Sequence, residues 1–184
     1  MIPLFLLALA PGPLATDPHV IIETSAGEIE LVIMARKAPL TASNFLRYVQ
    51  ANRYTQGLFH RTVRLDNQPV SKIKISVIQA GPAKGTPEFP PIPLERTNVT
   101  GIKHTDGVIS MARDGPDTAT ADFFLCIGDQ PSLDFGGQRI PDGQGFAAFG
   151  QVIRGRDVLK RIHESPVTQQ QLTPPITILR IYQK

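Results

Sequence analysis

The chain has 184 residues, 41% hydrophobic and 19% charged, a composition that suits one globular domain with a core of its own. Its formal charge is only +3 and no run of Lys or Arg exceeds two residues, which argues against a nucleic-acid-binding protein. Cys126 is the only cysteine, so an intrachain disulfide and a thiolate metal site are both excluded.

Residues 1–16 stand apart from the rest of the chain. They begin with the apolar run MIPLFLLALA, which is too short to span a bilayer, so no membrane span is expected. The run resembles the apolar region of a secretory signal, with Ala15 before a cleavage point, although no Lys or Arg precedes it. We therefore expect a signal peptide or an N-terminal extension at 1–16 and a periplasmic or secreted protein. A cytoplasmic location is the alternative.

The next part of the chain predicts a hairpin, a helix and a strand. Residues 19–33 are β-branched and alternating around a turn at Gly27, which is typical of a β-hairpin with one buried face. Pro39 suits the first turn of a helix, and apolar residues at helical spacing continue that helix to about Asn52. Apolar and β-branched residues at 58–63 then predict a strand.

The remainder of the chain predicts short strands separated by long loops. A strand is expected over 72–78, where Ile73, Ile75 and Val77 alternate with polar residues. Further strands are expected at 107–112, 121–127, 146–153 and 176–182, with a short helix after Gly155. Loops are expected at the Gly- and Pro-rich segments 80–93 and 128–145 and at the polar run 169–171. Many short strands and two helices indicate a closed β-barrel whose ends the helices cover.

Arg61 is the candidate functional residue of the strand at 58–63. An arginine on a strand presents a permanent cation with a fork of N–H donors. It is unsuited to act as a base or a nucleophile, but it can hold a planar polar group and stabilise electron density there. Taken alone, the tripeptide Phe59-His60-Arg61 is more typical of an ordinary surface arginine.

Six short blocks that follow one another in order resemble the cyclophilin-type peptidyl-prolyl cis–trans isomerases. They lie at 59–61, 79–81, 107–113, 121–124, 133–134 and 146–152. The likeness extends from about Val20 to Tyr182 and is greatest to bacterial periplasmic members. It implies that residues 17–184 form a mainly β domain, a closed eight-stranded antiparallel β-barrel capped by two α-helices. The active site is then expected in a groove on the outer surface, because side chains fill the barrel interior.

The resemblance also implies roles for particular residues. Arg61 matches the catalytic arginine of the family, and Gln79 matches the glutamine that orients it. Phe124 and Leu133 match walls of the pocket that receives the proline ring. The implied substrate-binding residues are His60, Val77, Ala112, Arg113, Asp122, Phe124, Leu133 and Phe146. No metal or cofactor is implied, because amide rotation requires neither.

The implied activity is rotation about Xaa-Pro peptide bonds, which assists protein folding. Without a catalyst this rotation takes tens to hundreds of seconds, because resonance keeps the amide planar. The expected partners are unfolded or extended polypeptides with exposed Xaa-Pro bonds. Binding to nucleic acid or insertion into a membrane is not expected, and the protein is expected to be a monomer.

Several residues depart from the family pattern and leave a second interpretation open. The span between Arg61 and Gln79 is longer than usual, and Ser76 stands where a pocket phenylalanine is expected. Asp122 replaces a glutamine, and an aspartate that reached Arg61 would compete with the substrate for the guanidinium. Ser132 replaces the usual tryptophan. The alternative is therefore a cyclophilin-like module that binds Pro-containing segments with little or no catalysis.

The histidines and the cysteine indicate no further chemistry. His19, His104 and His163 show no metal-ligand spacing and are expected at the surface or in loops. Cys126 is expected to pack as a small hydrophobic residue.

Overall fold

The computed structural model describes residues 16–184, so the expected signal peptide or extension at 1–16 lies outside the described residues except for Thr16. Within that part of the chain there are nine β-strands and three α-helices. The strands are β1 (His19–Thr24), β2 (Gly27–Ile33), β3 (Gly57–Val63), β4 (Val77–Gly81), β5 (Val108–Met111), β6 (Phe123–Cys126), β7 (Ala147–Arg154), β8 (Val167–Thr168) and β9 (Gln171–Gln183). The helices are α1 (Pro39–Gln50), α2 (Thr97–Thr100) and α3 (Arg156–Glu164).

Most of the strands close into one antiparallel barrel. Their order around it is β1-β2-β7-β5-β6-β4-β3-β9, and β9 pairs with β1 to complete the circle. The two-residue strand β8 lies outside this circle, as the first arm of a hairpin with β9. Closure gives each barrel strand a neighbour on both sides, which satisfies the backbone groups that an open edge would expose. The predicted closed eight-stranded barrel is confirmed.

The barrel interior and its covering helices share one hydrophobic core. Phe59 of β3 and Phe123 of β6 meet there with ring centroids 6.2 Å apart. Phe45 of α1 packs edge-on against Phe123 at 5.6 Å, and all three rings are buried. Replacing one such ring by alanine typically costs about 3–5 kcal/mol of folding free energy. The strands whose outer faces form the groove are therefore packed against a tightly filled core.

The two predicted helices are present, and each packs on the barrel. Helix α1 contacts β7 and β9, whereas α3 contacts β2, β3 and β4. Ala38 supplies no capping side chain for α1. Instead the distant Glu95 carboxylate accepts the N–H groups of Leu40 and Thr41, which suits the partial positive charge of a helix N-terminus. The four-residue helix α2, between β4 and β5, was not predicted.

The prediction of a strand over 72–78 is wrong for all but its end, because regular pairing begins only at Val77. The reason is the buried side chain of Gln68. Its Nε2 donates to the carbonyl oxygens of Arg64 at 2.7 Å and Ile75 at 2.8 Å. Its Oε1 accepts the N–H of Ile75 at 3.2 Å, so a side chain and not a neighbouring strand satisfies this backbone. Residues 64–76 form an irregular loop, called the insert loop below.

The last strand is longer than the 176–182 predicted, since β9 begins at Gln171. Gln169 and Gln170 form the turn between β8 and β9, so only part of the polar run 169–171 is the loop that was expected. Gln171 pairs with Arg61, which brings this turn beside β3. None of the helices in residues 16–184 is long and apolar enough to cross a membrane.

Candidate active site

A bulge in β3 sets the direction of the side chains around Arg61. Phe59 pairs with Ala80 and Arg61 pairs with Gln79, so the pairing skips His60. Phe59 is buried in the barrel, whereas His60 and Arg61 are both partly exposed. A bulge inserts one extra residue and re-aims the side chains that follow it. It allows two consecutive polar residues to avoid the core while Phe59 remains inside.

Two neutral amide oxygens hold the Arg61 guanidinium. Arg61 Nη1 donates to Gln79 Oε1 at 3.0 Å. Its Nε and Nη2 donate to Gln170 Oε1 at 2.9 and 2.6 Å. A guanidinium has five N–H donors, and three are engaged within the described residues, which leaves two for a substrate. Burial lowers the pKa of Arg61, and the nearby charge of Arg139 adds to the effect, but an arginine stays protonated in a protein.

Asp122 does not neutralise Arg61 as an ion pair within the described residues. Its Oδ2 accepts a long hydrogen bond of 3.4 Å from Gln79 Nε2 and lies 3.8 Å from His60 Nε2. Burial raises the pKa of Asp122, and the opposing effects of His60 and the Gln79 hydrogen bond only partly offset it. Gln79 therefore stands between the carboxylate and the guanidinium, and its amide orientation is set from both sides.

A row of three strands places Arg61 beside the apolar part of the site. Arg61 of β3 pairs with Gln79 of β4, which pairs in turn with Phe124 of β6. Neighbouring strands lie about 4.8 Å apart, so the row spans about 10 Å. The three residues line one groove with a volume of about 580 Å³. Every site residue predicted from the sequence lines this groove except His60, which reaches it only through Asp122.

The apolar end of the groove is a pocket of aromatic and aliphatic side chains. Phe124 and Phe146 meet edge to face with ring centroids 5.3 Å apart, and Leu133 is buried beside them. Ile75 of the insert loop and Ile140 also line the groove, although the sequence did not single them out. These two side chains add aliphatic surface to the groove.

Ser76 itself takes part in a structural contact. Its Oγ lies 3.0 Å from His163 Nε2, and His163 Nε2 also lies 3.3 Å from the carbonyl oxygen of Val63. Burial lowers the pKa of His163, and the hydrogen bond to Val63 only partly offsets it. Ser76 and His163 join the end of the insert loop, β3 and α3, so His163 is a half-buried junction residue and not the surface or loop residue that was expected.

His104 backs the pocket from inside the fold. Its ring stacks on Phe124 with centroids 6.0 Å apart and an angle of 14° between planes. His104 Nδ1 lies 2.8 Å from Asp134 Oδ1, and Nε2 lies 3.0 Å from Ser110 Oγ. Burial acts to raise the pKa of Asp134, but hydrogen bonds from His104 lower it overall. His104 lies in the loop between α2 and β5, as one of the two expected alternatives had it, but its side chain is buried and not at the surface.

Ser110, His104 and Asp134 are hydrogen-bonded in the same order as the residues of a hydrolytic triad. Their position inside the fold is not that of a catalytic triad. Ser110 and His104 are buried, so a substrate in the groove cannot reach the hydroxyl. The function of the set is to hold the imidazole flat behind Phe124. Three polar groups that satisfy one another in this way are stable inside a core.

Arg113 is the second arginine of the groove, and it is already paired. Its Nη1 and Nη2 donate to the two carboxylate oxygens of Asp142 at 2.8 and 3.0 Å. Its Nε donates to the carbonyl oxygen of Gly145 at 2.9 Å, and its cation lies 5.2 Å from the Phe146 ring centre. The N–H of the neighbouring Ala112 donates to the carbonyl oxygen of Asp122, so the fold already uses that donor.

Comparison with known proteins identifies the family. Residues 19–183 match the family model described as "Cyclophilin type peptidyl-prolyl cis-trans isomerase/CLD". The chain belongs to this family. It is 35% identical over 167 residues to peptidyl-prolyl cis-trans isomerase A of Dickeya dadantii, across 88% of this chain and 80% of that protein. It is also 35% identical over 146 residues to peptidyl-prolyl cis-trans isomerase B of Escherichia coli, across 76% and 80% of the two chains.

Solved cyclophilin structures share the fold. A crystal structure of a cyclophilin-type isomerase from Cryptosporidium parvum gives a TM-score of 0.74 at 21% identity, over 91% of this chain and 98% of that one. A second crystal structure of that protein, in the presence of the dipeptide Ala-Pro, gives a TM-score of 0.72 at 20% identity. It covers 90% of this chain and 98% of the other.

Gln170 is the hydrogen-bond partner of Arg61 in this cyclophilin that sequence reasoning missed. It lies 109 residues from Arg61 along the chain and in the middle of a run of three glutamines. Nothing in that run distinguishes the glutamine that faces a cation from the two that do not. The signal that could have found it is its closeness in space to Arg61, which the barrel closure creates.

Proposed function

We propose that this cyclophilin catalyses cis–trans isomerisation of Xaa-Pro bonds in unfolded or extended polypeptides. One observation carries the proposal: a guanidinium with two N–H donors left over lies in the same groove as an apolar pocket. The pocket around Phe124 and Phe146 suits a proline ring. The donors of Arg61 suit the amide next to that ring.

The chemistry follows from what changes during rotation. As the C–N bond twists, the nitrogen lone pair localises and the bond loses its double-bond character. An N–H donor directed at that nitrogen, or a cation held against the carbonyl oxygen, favours the twisted form over the planar one. Only stabilisation that is greater in the twisted form accelerates the reaction, so the position of Arg61 matters more than its affinity for the peptide.

The required energy is within reach of this site. An acceleration of ~10⁴ requires about 5.5 kcal/mol of transition-state stabilisation. A charge-assisted hydrogen bond from Arg61 contributes about 1.5–3 kcal/mol. The apolar pocket contributes the remainder by fixing the ring and by keeping water from the carbonyl group. No nucleophile is needed, since no covalent bond forms or breaks.

Magnetisation exchange between the cis and trans NMR signals of an Ala-Pro-Phe peptide tests the proposal. Exchange should become faster in proportion to the concentration of the wild-type protein, and Arg61→Ala should abolish most of the gain. Exchange no faster than in buffer, together with shifts of the peptide signals, would instead identify a module that binds Pro-containing segments without turnover.

We also propose that the protein is exported to the periplasm or secreted, on the support of the apolar run at its N-terminus. Mass spectrometry of the protein recovered from the cell envelope or the medium tests this. Removal of a segment near residue 16 is expected. An intact Met1 in protein that remains in the cytoplasm would contradict export.

A further inference from the structure

We propose that Gln170 is a positioning residue for Arg61 and that the insert loop, residues 64–76, supports it. The proposal rests on the proposed isomerase function, because it concerns how the catalytic cation is held. Gln170 Oε1 is the acceptor for two of the three engaged donors of Arg61. It therefore contributes more hydrogen bonds to the guanidinium than Gln79 does.

Both ends of the Gln170 side-chain amide are in use. The oxygen faces Arg61, and Nε2 donates to the carbonyl oxygen of Asn67 at 3.0 Å. An amide whose oxygen and nitrogen each have a partner has one preferred orientation. A reversed amide would direct its NH₂ group at the cation and lose all three bonds, so Asn67 helps to keep the oxygen directed at Arg61.

The insert loop holds the Asn67 carbonyl in place by its own side chains. Asn67 Oδ1 accepts the N–H of Arg64 at 2.7 Å, and Asn67 Nδ2 donates to the carbonyl oxygens of Thr62 and Gln169 at 3.1 Å each. Asn67 therefore joins β3, the insert loop and the β8–β9 turn. Gln68 ties the two ends of the loop together, as described above.

Arg139 secures the far side of the insert loop. Its Nη1 donates to Ser71 Oγ and to the carbonyl oxygen of Ile73. The loop is thus fastened at its start, its middle and its end. Two segments that are far apart in sequence, 64–76 and 169–170, form one support for Arg61.

The charge of the supporting group matters as much as its position. A glutamine oxygen accepts hydrogen bonds without carrying a charge, so it aims the guanidinium but leaves the positive charge available. A carboxylate at the same place would hold Arg61 just as well and would neutralise it. This distinction separates a positioning role from a merely structural one and gives a direct test.

The test compares Gln170→Ala and Gln170→Glu with Gln171→Ala in the peptide-exchange assay. Gln171 is exposed, and its side chain makes no hydrogen bond within the described residues, so its variant should match the wild type. Gln170→Ala removes two bonds to a charged group, and kcat/KM should fall about tenfold. The loss should lie in kcat with KM nearly unchanged, because the ring pocket is intact.

Gln170→Glu should also lower kcat/KM about tenfold, because its carboxylate keeps an acceptor for Arg61 but pairs with the cation, and it loses the donor to the Asn67 carbonyl oxygen. A glutamate variant with wild-type kcat/KM would overturn the proposal, because the added charge would then have no effect on Arg61. A double-mutant cycle adds a second check: in an Arg61→Ala background, Gln170→Ala should have no further effect on kcat/KM. Additive losses would overturn the proposal, since they would mean that Gln170 acts without Arg61.

The outcomes separate this inference from the function on which it rests. An inactive wild-type protein would refute the isomerase function. An active wild type whose Gln170→Ala variant stays within twofold of it would refute the positioning role alone. If Gln170→Ala unfolds, Gln170→Met keeps the side-chain length without the acceptor, and it should show the same loss in kcat. Wild-type activity in Gln170→Met would overturn the proposal.

Discussion

Arg61 and Arg113 line the same groove, but they are held in opposite ways. Arg113 is buried, with 1% of its side chain exposed, and faces the Asp142 carboxylate through two hydrogen bonds. Arg61 faces two glutamine oxygens, which are neutral. The first arginine is a cation whose charge is balanced inside the fold. The second is a cation whose orientation is fixed by neutral acceptors, which do not balance its charge.

This difference explains how one groove can use two arginines for two purposes. A bidentate carboxylate satisfies the fork of a guanidinium and cancels its charge, which makes a good structural link. Arg113 accordingly connects the loop that contains Asp142 and Gly145 to the Phe146 wall of the pocket. A substrate carbonyl group gains little from a cation that is already paired. Arg61 keeps both its charge and its free donors, as its proposed catalytic role requires.

The largest expected effect comes from replacing each arginine by lysine. Arg61→Lys keeps the charge but loses the fork that binds Gln79 and Gln170 together, so kcat/KM should fall about 100-fold. Arg113→Lys should mainly lower the melting temperature, with kcat within about twofold of the wild type. Peptide exchange and thermal unfolding measure the two effects. Equal losses of kcat in the two lysine variants would contradict the different roles assigned to Arg61 and Arg113.

Gln79→Glu makes the environment of Arg61 resemble that of Arg113. The new carboxylate should pair with the guanidinium and compete with the substrate, so kcat/KM should fall about tenfold. Gln79→Met is the matched control, because it removes the acceptor without adding charge. A glutamate variant as active as the wild type would show that the charge of Arg61 need not be available.

Asp142→Asn tests the structural arginine through its acid dependence. The hydrogen bonds from Arg113 are the main reason that the pKa of Asp142 lies below its ordinary value of 3.8. A carboxyl group with a lowered folded-state pKa adds stability above its unfolded-state pKa and loses that contribution as the pH falls through the folded-state value. The wild type should therefore unfold at a higher temperature than Asp142→Asn at neutral pH, and the gap should close as the pH falls below 3.8. A gap that is independent of pH would contradict the role of this pair.

The smallest effect is expected for Asp122→Asn. Gln79 separates Asp122 from Arg61, so kcat/KM should stay within about twofold of the wild type.

Burial raises the pKa of Asp122 above 3.8, so the folded state binds the proton more tightly than the unfolded state does. The stability of the wild type should then fall as the pH rises through this range, and the variant should lack that fall.

Chemical denaturation between pH 3 and 7 measures the Asp122 effect. Because the Asp122 side chain is 42% exposed, the gain in unfolding free energy at neutral pH should be less than about 1 kcal/mol. A rise of kcat/KM by tenfold or more in Asp122→Asn would mean that Asp122 does neutralise Arg61 in solution.

Local patterns in the sequence predicted most of the barrel and part of the site. The first hairpin, helix α1 and the strand that carries Arg61 follow from hydrophobic periodicity and from Pro39. Gln79 and Phe124 followed from the family resemblance of short blocks. The strand predicted over 72–78 was wrong within the insert loop. Ile73 and Ile75 alternate with polar residues as they would in a strand, but the backbone there forms hydrogen bonds with the side chain of Gln68.

The sequence by itself determined a closed β-barrel and an arginine on its third strand, because these depend on spacing along short stretches of chain, and its resemblance to the family implied the aromatic pocket residues. Only the tertiary structure decided which groups surround that arginine. Gln170 lies 109 residues from Arg61 and 103 residues from Asn67, to which it also bonds, and His104 reaches Phe124 through the core. Such contacts depend on how distant strands close on one another, so no local pattern can specify them.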